Sequence, residues 1–136
     1  MSLIIVRRKT NGPLDLRAMP RTPDPDSFLP LTTPEYHVLL ALGERSLHGY
    51  AMIQAIEEKT GGRATLLPGT LYATLARMEE RGLLEDAPPP PEGGVDARRR
   101  YYRLTALGRD VARAESARLR RLLAVAEREH LVPESS

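Results

Sequence analysis

Cysteine and tryptophan are absent from the 136-residue chain, and five tyrosines and one phenylalanine supply all its aromatic side chains. Without cysteine the protein has no disulfide framework, no thiolate metal site and no cysteine nucleophile, which is consistent with a reducing compartment. Readers of single-stranded nucleic acid usually stack bases on aromatic rings. An aromatic content of 4% therefore argues against that function.

Long apolar runs are also missing. No run approaches the roughly 20 residues that a transmembrane helix requires. Residues 1–9 place apolar side chains before basic ones, the reverse of the order in a secretory signal. We therefore predict a cytoplasmic protein.

The sequence contains no recognisable catalytic or cofactor motif. Its three histidines, at 37, 48 and 130, lack metal-ligand spacing, and no phosphate-cradling glycine loop or nucleophile elbow is present. Gly61 and Gly62 are better interpreted as a helix end than as a phosphate loop. We expect no enzyme activity, no metal and no cofactor, and we interpret His48 as a structural residue at a helix start.

The charge is small but unevenly distributed. Net charge is +2, and 41% hydrophobic with 28% charged residues is typical of one soluble domain with extensions. Acidic residues outnumber basic ones from 32 to 86, whereas ten arginines face four acids from 98 to 130. A regional basic surface is what a phosphate-binding protein needs, although a solvated arginine-rich helix has the same composition.

The rest of the chain is organised around a central helix predicted from Pro68 to Gly82. Proline suits a first helical turn and glycine suits a helix end. Leu71, Leu75 and Met78 share one face, which must be buried. The opposite face begins with small, hydroxyl and aromatic residues rather than long charged ones. Such a face can approach a DNA groove closely, but an ordinary amphipathic helix remains an alternative.

Two helices are predicted before the central one. The first begins at Thr33, as a capping hydroxyl, and ends at Gly43; the second runs from about His48 to Thr60. Gly49 would let the second helix approach its neighbour closely. Two helices joined by a compact turn and packed on a first helix form a helix-turn-helix unit.

A wing is predicted after the central helix. Strand 83–86 is followed by a tetraproline loop and a returning strand, 100–105. If Leu104 points inward, Tyr102 does too, whereas Tyr101 and Arg103 face outward. The arginines at the base of the wing either bind phosphate or form a solvated edge that discourages aggregation.

The last helix is predicted from about Ala106 to His130, a length of roughly 37 Å at 1.5 Å per residue. A winged core of about 70 residues has a radius of gyration near 11 Å, so this helix must overhang it. The overhanging part carries a second apolar seam that needs another partner. The simplest partner is the same seam of a second chain: Leu119, Leu122, Leu123 and Ala126.

Four segments result from this interpretation. Residues 1–31, rich in proline, form a flexible arm; 32–105 form the winged domain; 106–131 form the dimerisation helix; 132–136 form a tail. Within the arm, Phe28 and its neighbours are candidates for docking on the domain, and the basic residues at 7–9 are candidates for a nucleic-acid contact.

Taken together, these residues resemble the PadR family of bacterial transcriptional regulators. The resemblance covers about residues 31–123, and its pieces occur in family order: H-G-Y at 48–50, I-E-E-K-T-G-G at 56–62, P-G-T-L-Y at 68–72 and R-R-R-Y-Y-R-L-T at 98–105. It implies a mostly α (α+β) fold, a winged helix-turn-helix domain followed by one long C-terminal dimerisation helix. The family often has Ser where Leu67 stands, and the proline-rich wing is longer than in many members.

The resemblance also implies the function and its residues. We expect a homodimeric repressor that binds an inverted repeat in double-stranded DNA and responds to a small-molecule effector. Groove contacts are expected from the central helix: Thr70, Tyr72, Ala73, Thr74 and Arg77. Phosphate and sugar contacts are expected from the wing: Arg98, Arg99, Arg100, Tyr101 and Arg103. A winged-helix protein-interaction module that meets an acidic partner is the alternative, and an RNA-binding winged helix is a third possibility.

Overall fold

The computed structural model of the protein describes residues 23–91 and 99–134. Within them a short 3₁₀ helix, Pro25–Phe28, precedes four α-helices and three strands. Their bounds are α1 Thr33–Ala41, β1 Leu47–His48, α2 Gly49–Lys59, α3 Pro68–Glu80, β2 Leu84–Ala87, β3 Tyr101–Leu104 and α4 Ala106–Arg128. The predicted mostly α winged-helix architecture with one long C-terminal helix is confirmed.

Helix starts follow local capping chemistry. The Thr32 hydroxyl accepts a hydrogen bond from the Glu35 N–H, and the Glu35 carboxylate accepts one from the Thr32 N–H, which forms a capping box. The cap of α1 is therefore Thr32 rather than the predicted Thr33, because Glu35 stands three residues after Thr32. At α2, His48 Nδ1 accepts a hydrogen bond from the Ala51 N–H at 3.1 Å, as expected for a structural histidine.

The core is formed where α1, α2 and α3 converge. Leu71, Leu75 and Met78 are fully buried, as the spacing in α3 predicts. They belong to one apolar cluster with buried residues of α1, α2 and α4, including Val38, Met52 and Val111. Among the residues that the structure describes, no helix is long and apolar enough to cross a membrane.

Strand β1 was not expected from the sequence. The sheet has the order β1-β3-β2, and both pairings are antiparallel. β3 pairs with β1 through His48 and Tyr101, and with β2 through Leu84 and Leu104. The central position of β3 fixes the base of the wing against the start of α2.

Helix α4 begins close against the end of α3. The Thr105 hydroxyl donates to the Gly82 carbonyl oxygen at 2.6 Å and accepts from the Gly108 N–H at 2.9 Å. A Cβ atom on Gly108 would lie 2.1 Å from the carbonyl oxygen of Leu83, so only glycine permits this approach. Farther along, Tyr36 of α1 and Ser116 of α4 share a hydrogen bond of 2.6 Å.

Candidate nucleic-acid interface

Helix α3 turns one face to the core and one to solvent. The solvent face carries Thr70, Ala73, Ala76 and Arg77, all exposed. Arg77 forms no ion pair with any residue in the ranges 23–91 and 99–134. No side chain caps the helix, since Leu67 occupies the N-cap position, and the first amide N–H groups are left to solvent or to an incoming anion.

Thr74 does not belong to this solvent face, contrary to our expectation. Its side chain is 1% exposed, and its hydroxyl donates to the Thr70 carbonyl oxygen at 2.7 Å. Thr74 lies three positions after Leu71 and four before Met78, which places it among the buried positions of a 3.6-residue repeat. It is a core residue and cannot reach DNA in this fold.

Tyr72 lies between the solvent face and helix α2. Half of its side chain, 53%, is exposed. A Cβ atom on Gly49 would lie 2.5 Å from the Tyr72 hydroxyl oxygen, so the phenol end packs directly on the first residue of α2. Tyr72 therefore helps to fix the angle between α2 and α3 and still presents a ring edge to solvent.

A cleft of about 440 Å³ opens beside Tyr72, between the start of α2 and the wing. Its walls include Tyr50, which is 57% exposed, and Arg99. The Arg99 guanidinium lies over the Tyr50 ring at 5.9 Å, and one of its nitrogens lies 3.2 Å from both ring nitrogens of His48. Tyr50 was not among the residues expected at this interface, although tyrosine hydroxyls are among the groups that bond to phosphate.

The wing arginines lie in one region but have carboxylate partners. Arg100 forms ion pairs with Asp86, at 2.6 Å, and with Glu79, and it lies over the Tyr102 ring at 4.9 Å. The hydrogen bond to Asp86 raises the pKa of Arg100, while burial raises the pKa of Tyr102. Arg103 pairs with Glu85 at 2.8 Å. Of the predicted wing residues, Arg98 lies outside the described residues, as do the basic residues at 7–9.

Tyr101 is also corrected by the structure, because it is buried and only 6% exposed. The alternation along β3 predicted an outward Tyr101, because the sequence predicted a wing of only two strands. His48 of β1 lies directly opposite Tyr101, so both side chains are on the same face of the sheet, and their rings meet edge to face at 5.3 Å. Tyr101 is therefore packed against its neighbours and does not face outward as predicted.

The far half of α4 projects from the domain. After Glu115 none of its described residues is buried. The apolar seam is exposed along one side, as the sequence predicts, with Ala126 partly covered: Leu119, Leu122 and Leu123. Nothing in the described part of a single chain covers these leucines.

A family model matches residues 38–114, and it is the transcriptional regulator PadR-like family. Among curated proteins, an uncharacterized 37.1 kDa protein in transposon Tn4556 from Streptomyces fradiae is 42% identical over 85 residues. That match covers 62% of this chain and 22% of the relative, so the chain spans about a fifth of the relative's length.

Solved structures with the same architecture include a PadR-like transcription factor from Bacteroides fragilis. It is 26% identical, with a TM-score of 0.56, over 69% of this chain and 86% of its own. A PadR family transcription regulator from Clostridium difficile R20291 has a TM-score of 0.61 at 24% identity and covers 71% of this chain and 97% of its own. At this identity the second likeness concerns the fold alone.

Proposed function

Because this chain belongs to the PadR-like family of transcriptional regulators, we propose that it is a sequence-specific repressor that binds double-stranded DNA. It acts as a homodimer on an inverted repeat, with α3 in the major groove and the wing along the phosphate backbone. The observation that carries this proposal is the solvent face of α3. That face combines small side chains with a hydroxyl and an arginine that has no ion-pair partner among the described residues.

The chemistry of this face suits direct reading of base edges. Ala73 and Ala76 let the helix backbone approach the groove floor, and the Thr70 hydroxyl can donate or accept there. Arg77 can make a bidentate contact with guanine, the commonest specific contact in the major groove. Tyr72, held by its contact with α2, orients the helix and adds a contact at the edge of this face.

Arginines of the wing base supply the contacts that carry no sequence information. Arg99 and Arg100 line the cleft, and Arg103 is exposed farther along β3. The pairs of Arg100 with Asp86 and of Arg103 with Glu85 are exposed, so these two carboxylates can be exchanged for phosphates at a cost of no more than about 1 kcal/mol each. Tyr50 adds a hydroxyl at the same cleft.

The exposed seam of α4 supports dimerisation. Leu119, Leu122 and Leu123 are 36%, 53% and 52% exposed, so covering the rest of each against a second copy would contribute about half of the 1.5 to 3 kcal/mol expected for full burial. A two-fold dimer presents two α3 helices related by the same axis, and its operator is then an inverted repeat.

An effector site is the least constrained part of the proposal. A cleft of about 390 Å³ lies between α1 and α4, with an apolar floor that includes Leu40 and Leu104 and a rim of Arg109, Arg113 and Arg120. An apolar molecule with a negative group fits that lining. We propose that such a ligand alters DNA affinity, and that the protein acts in the cytoplasm, where its chromosomal target lies.

Selection on random duplex DNA tests the proposal directly. Recovery of a short inverted repeat is the expected result, and it would establish sequence preference and two-fold symmetry together. Recovery of duplexes without a shared sequence would instead favour the winged-helix protein-interaction module, whose arginines meet acidic protein surfaces.

A further inference from the structure

The segment that precedes α1 packs across two other elements of the fold. It begins with the short 3₁₀ helix, where the Asp24 carboxylate accepts a hydrogen bond from the Asp26 N–H at 3.0 Å. Phe28 lies partly buried under the guanidinium of Arg81, 4.8 Å from its ring centre. Arg81 immediately follows α3, so this contact ties the segment to the end of that helix.

Two consecutive amides at the end of this segment are held by two buried carboxylates. The Leu31 N–H donates to Glu115 Oε2 at 3.0 Å, and the Thr32 N–H donates to Glu35 Oε1 at 2.9 Å. Each carboxylate is also paired with an arginine, Glu115 within its own helix and Glu35 with a residue beyond α3. Glu115 accepts two hydrogen bonds from Arg118 of α4, and Glu35 pairs with Arg81 at 3.1 Å.

These hydrogen bonds define the position of the segment more closely than apolar packing can. Phe28, Leu29 and Leu31 pack against the core, and apolar packing alone would tolerate small shifts. A carboxylate that is 2% exposed, such as Glu115, must keep its hydrogen-bond partners or pay for an unpaired buried charge. The position of Leu31 relative to α4 is therefore closely defined.

Glu115 lies near the place where α4 leaves the domain, one residue before the Ser116 hydrogen bond to Tyr36 of α1. It is the last buried residue of the helix, and residues 119–128 project beyond it. Those ten residues extend roughly 15 Å at 1.5 Å per residue, so a tilt of roughly 10° at Glu115 would move the far end by roughly 3 Å.

We infer that residues 24–32 form a strap that fixes the direction in which α4 leaves the winged domain, with Glu115 as its positioning residue. In the homodimer of the proposed function, on which this step rests, that direction sets the separation of the two α3 helices. The strap thereby determines which spacing between half-sites the dimer accepts.

An intrachain distance measurement tests the strap without DNA. The absence of cysteine allows spin labels at Glu58→Cys in α2 and Arg128→Cys at the end of α4, both exposed positions. Dilution with unlabelled protein leaves only the intrachain distance. Glu115→Gln keeps the side-chain shape, removes the charge that pairs with Arg118, and should at least double the width of the distance distribution. Asp110→Asn, in an exposed ion pair of the same helix, is the matched control and should leave the width unchanged.

Phe28→Ala is the second variant, because it loosens the strap without a change of buried charge, and circular dichroism verifies that each variant folds. It should broaden the distribution in the same way, and it decides the question if Glu115→Gln does not fold. Unchanged widths in the folded variants would overturn the inference.

Selection from duplexes with two half-sites at varied separations then tests specificity. The parent chain should select one separation and both strap variants several, while affinity for a single half-site stays the same. If the parent chain selects no DNA sequence but both strap variants have broader distance distributions, the proposed function is wrong, while the role of the strap in fixing α4 is supported. Broader distances with an unchanged choice of separation would overturn the role of the strap in specificity.

Discussion

Replacement of Arg77 by alanine separates base reading from general attraction to DNA. Its side chain is exposed on α3 and has no ion-pair partner in the described ranges, so its removal strands no buried carboxylate. Folding stability should therefore change by no more than about 0.5 kcal/mol. Loss of a base contact should cost about 1 to 3 kcal/mol on the selected sequence, which is about 5- to 150-fold in Kd.

Fluorescence anisotropy on the selected duplex and on a scrambled one measures both effects. On scrambled DNA the loss should be smaller and purely electrostatic, and it should shrink by about 3-fold from 50 to 200 mM salt, because one phosphate contact contributes a salt slope of about 0.9. Arg113→Ala removes another exposed arginine, on α4, and serves as the control. Equal affinity of Arg77→Ala and the parent chain for the selected duplex would refute the assignment of α3 as the reading helix.

A change in the wing should alter affinity for selected and scrambled duplexes equally, unlike a change in α3. Glu85→Gln releases Arg103 from its ion pair, so affinity for selected and scrambled duplexes should rise alike by about 3-fold at 50 mM salt. Glu127→Gln makes the same charge change at an exposed position of α4 and separates a local effect from a change of net charge. A gain confined to the selected duplex would contradict a phosphate role for Arg103.

Three further predictions concern assembly and stability. Replacement of Leu119 and Leu122 by aspartate should yield monomers in size-exclusion chromatography with light scattering, and a parent chain that is already monomeric at micromolar concentration would contradict the dimer. Gly108→Ala should lower the free energy of unfolding by about 1 to 3 kcal/mol, because its Cβ would meet backbone, whereas Gly69→Ala, with open space around it, should not; equal Tm values would refute the close approach. The hydrogen bond from Arg118 lowers the pKa of Glu115, so the carboxylate contributes stability above the ordinary glutamate value of 4.5, and this contribution is lost as pH falls through the lowered folded pKa. Urea titrations should show a shallower acid loss for Glu115→Gln, and parallel curves would exclude that contribution.

Most of the fold follows from local patterns in the sequence. The spacing of Leu71, Leu75 and Met78 predicts the buried side of α3. The start signal at Pro68 and the end signal at Gly82 predict its length. These signals are local because capping and helical periodicity act within one or two turns. The family itself was also recognised from four short motifs, and the matching family model confirms it.

The errors at Thr74 and at the cap of α1 were local, since helical spacing and the position of Glu35 give the right answer, whereas the others arose where distant parts of the chain meet. Strand β1 has only two residues, too few for any period, and without it Tyr101 was assigned to the solvent side. The ion pair between Arg100 and Glu79 joins residues 21 positions apart, and the bond between Leu31 and Glu115 spans 84. Such contacts depend on tertiary packing, and no window along the sequence contains both partners. The DNA contacts and the dimer seam stay predictions.

The contact between Gly49 and Tyr72 couples the side chains that these two positions can carry in homologues. A methyl group at 49 and the Tyr72 phenol as placed here would occupy the same space, so position 49 can gain a side chain only if the side chain at 72 moves or shortens. A homologue with alanine at the first position should carry a shorter side chain at the second, and the two columns should covary across an alignment. Position 72 borders the solvent face of α3. A substitution there that restores packing between α2 and α3 would therefore also alter the DNA sequence that the protein recognises.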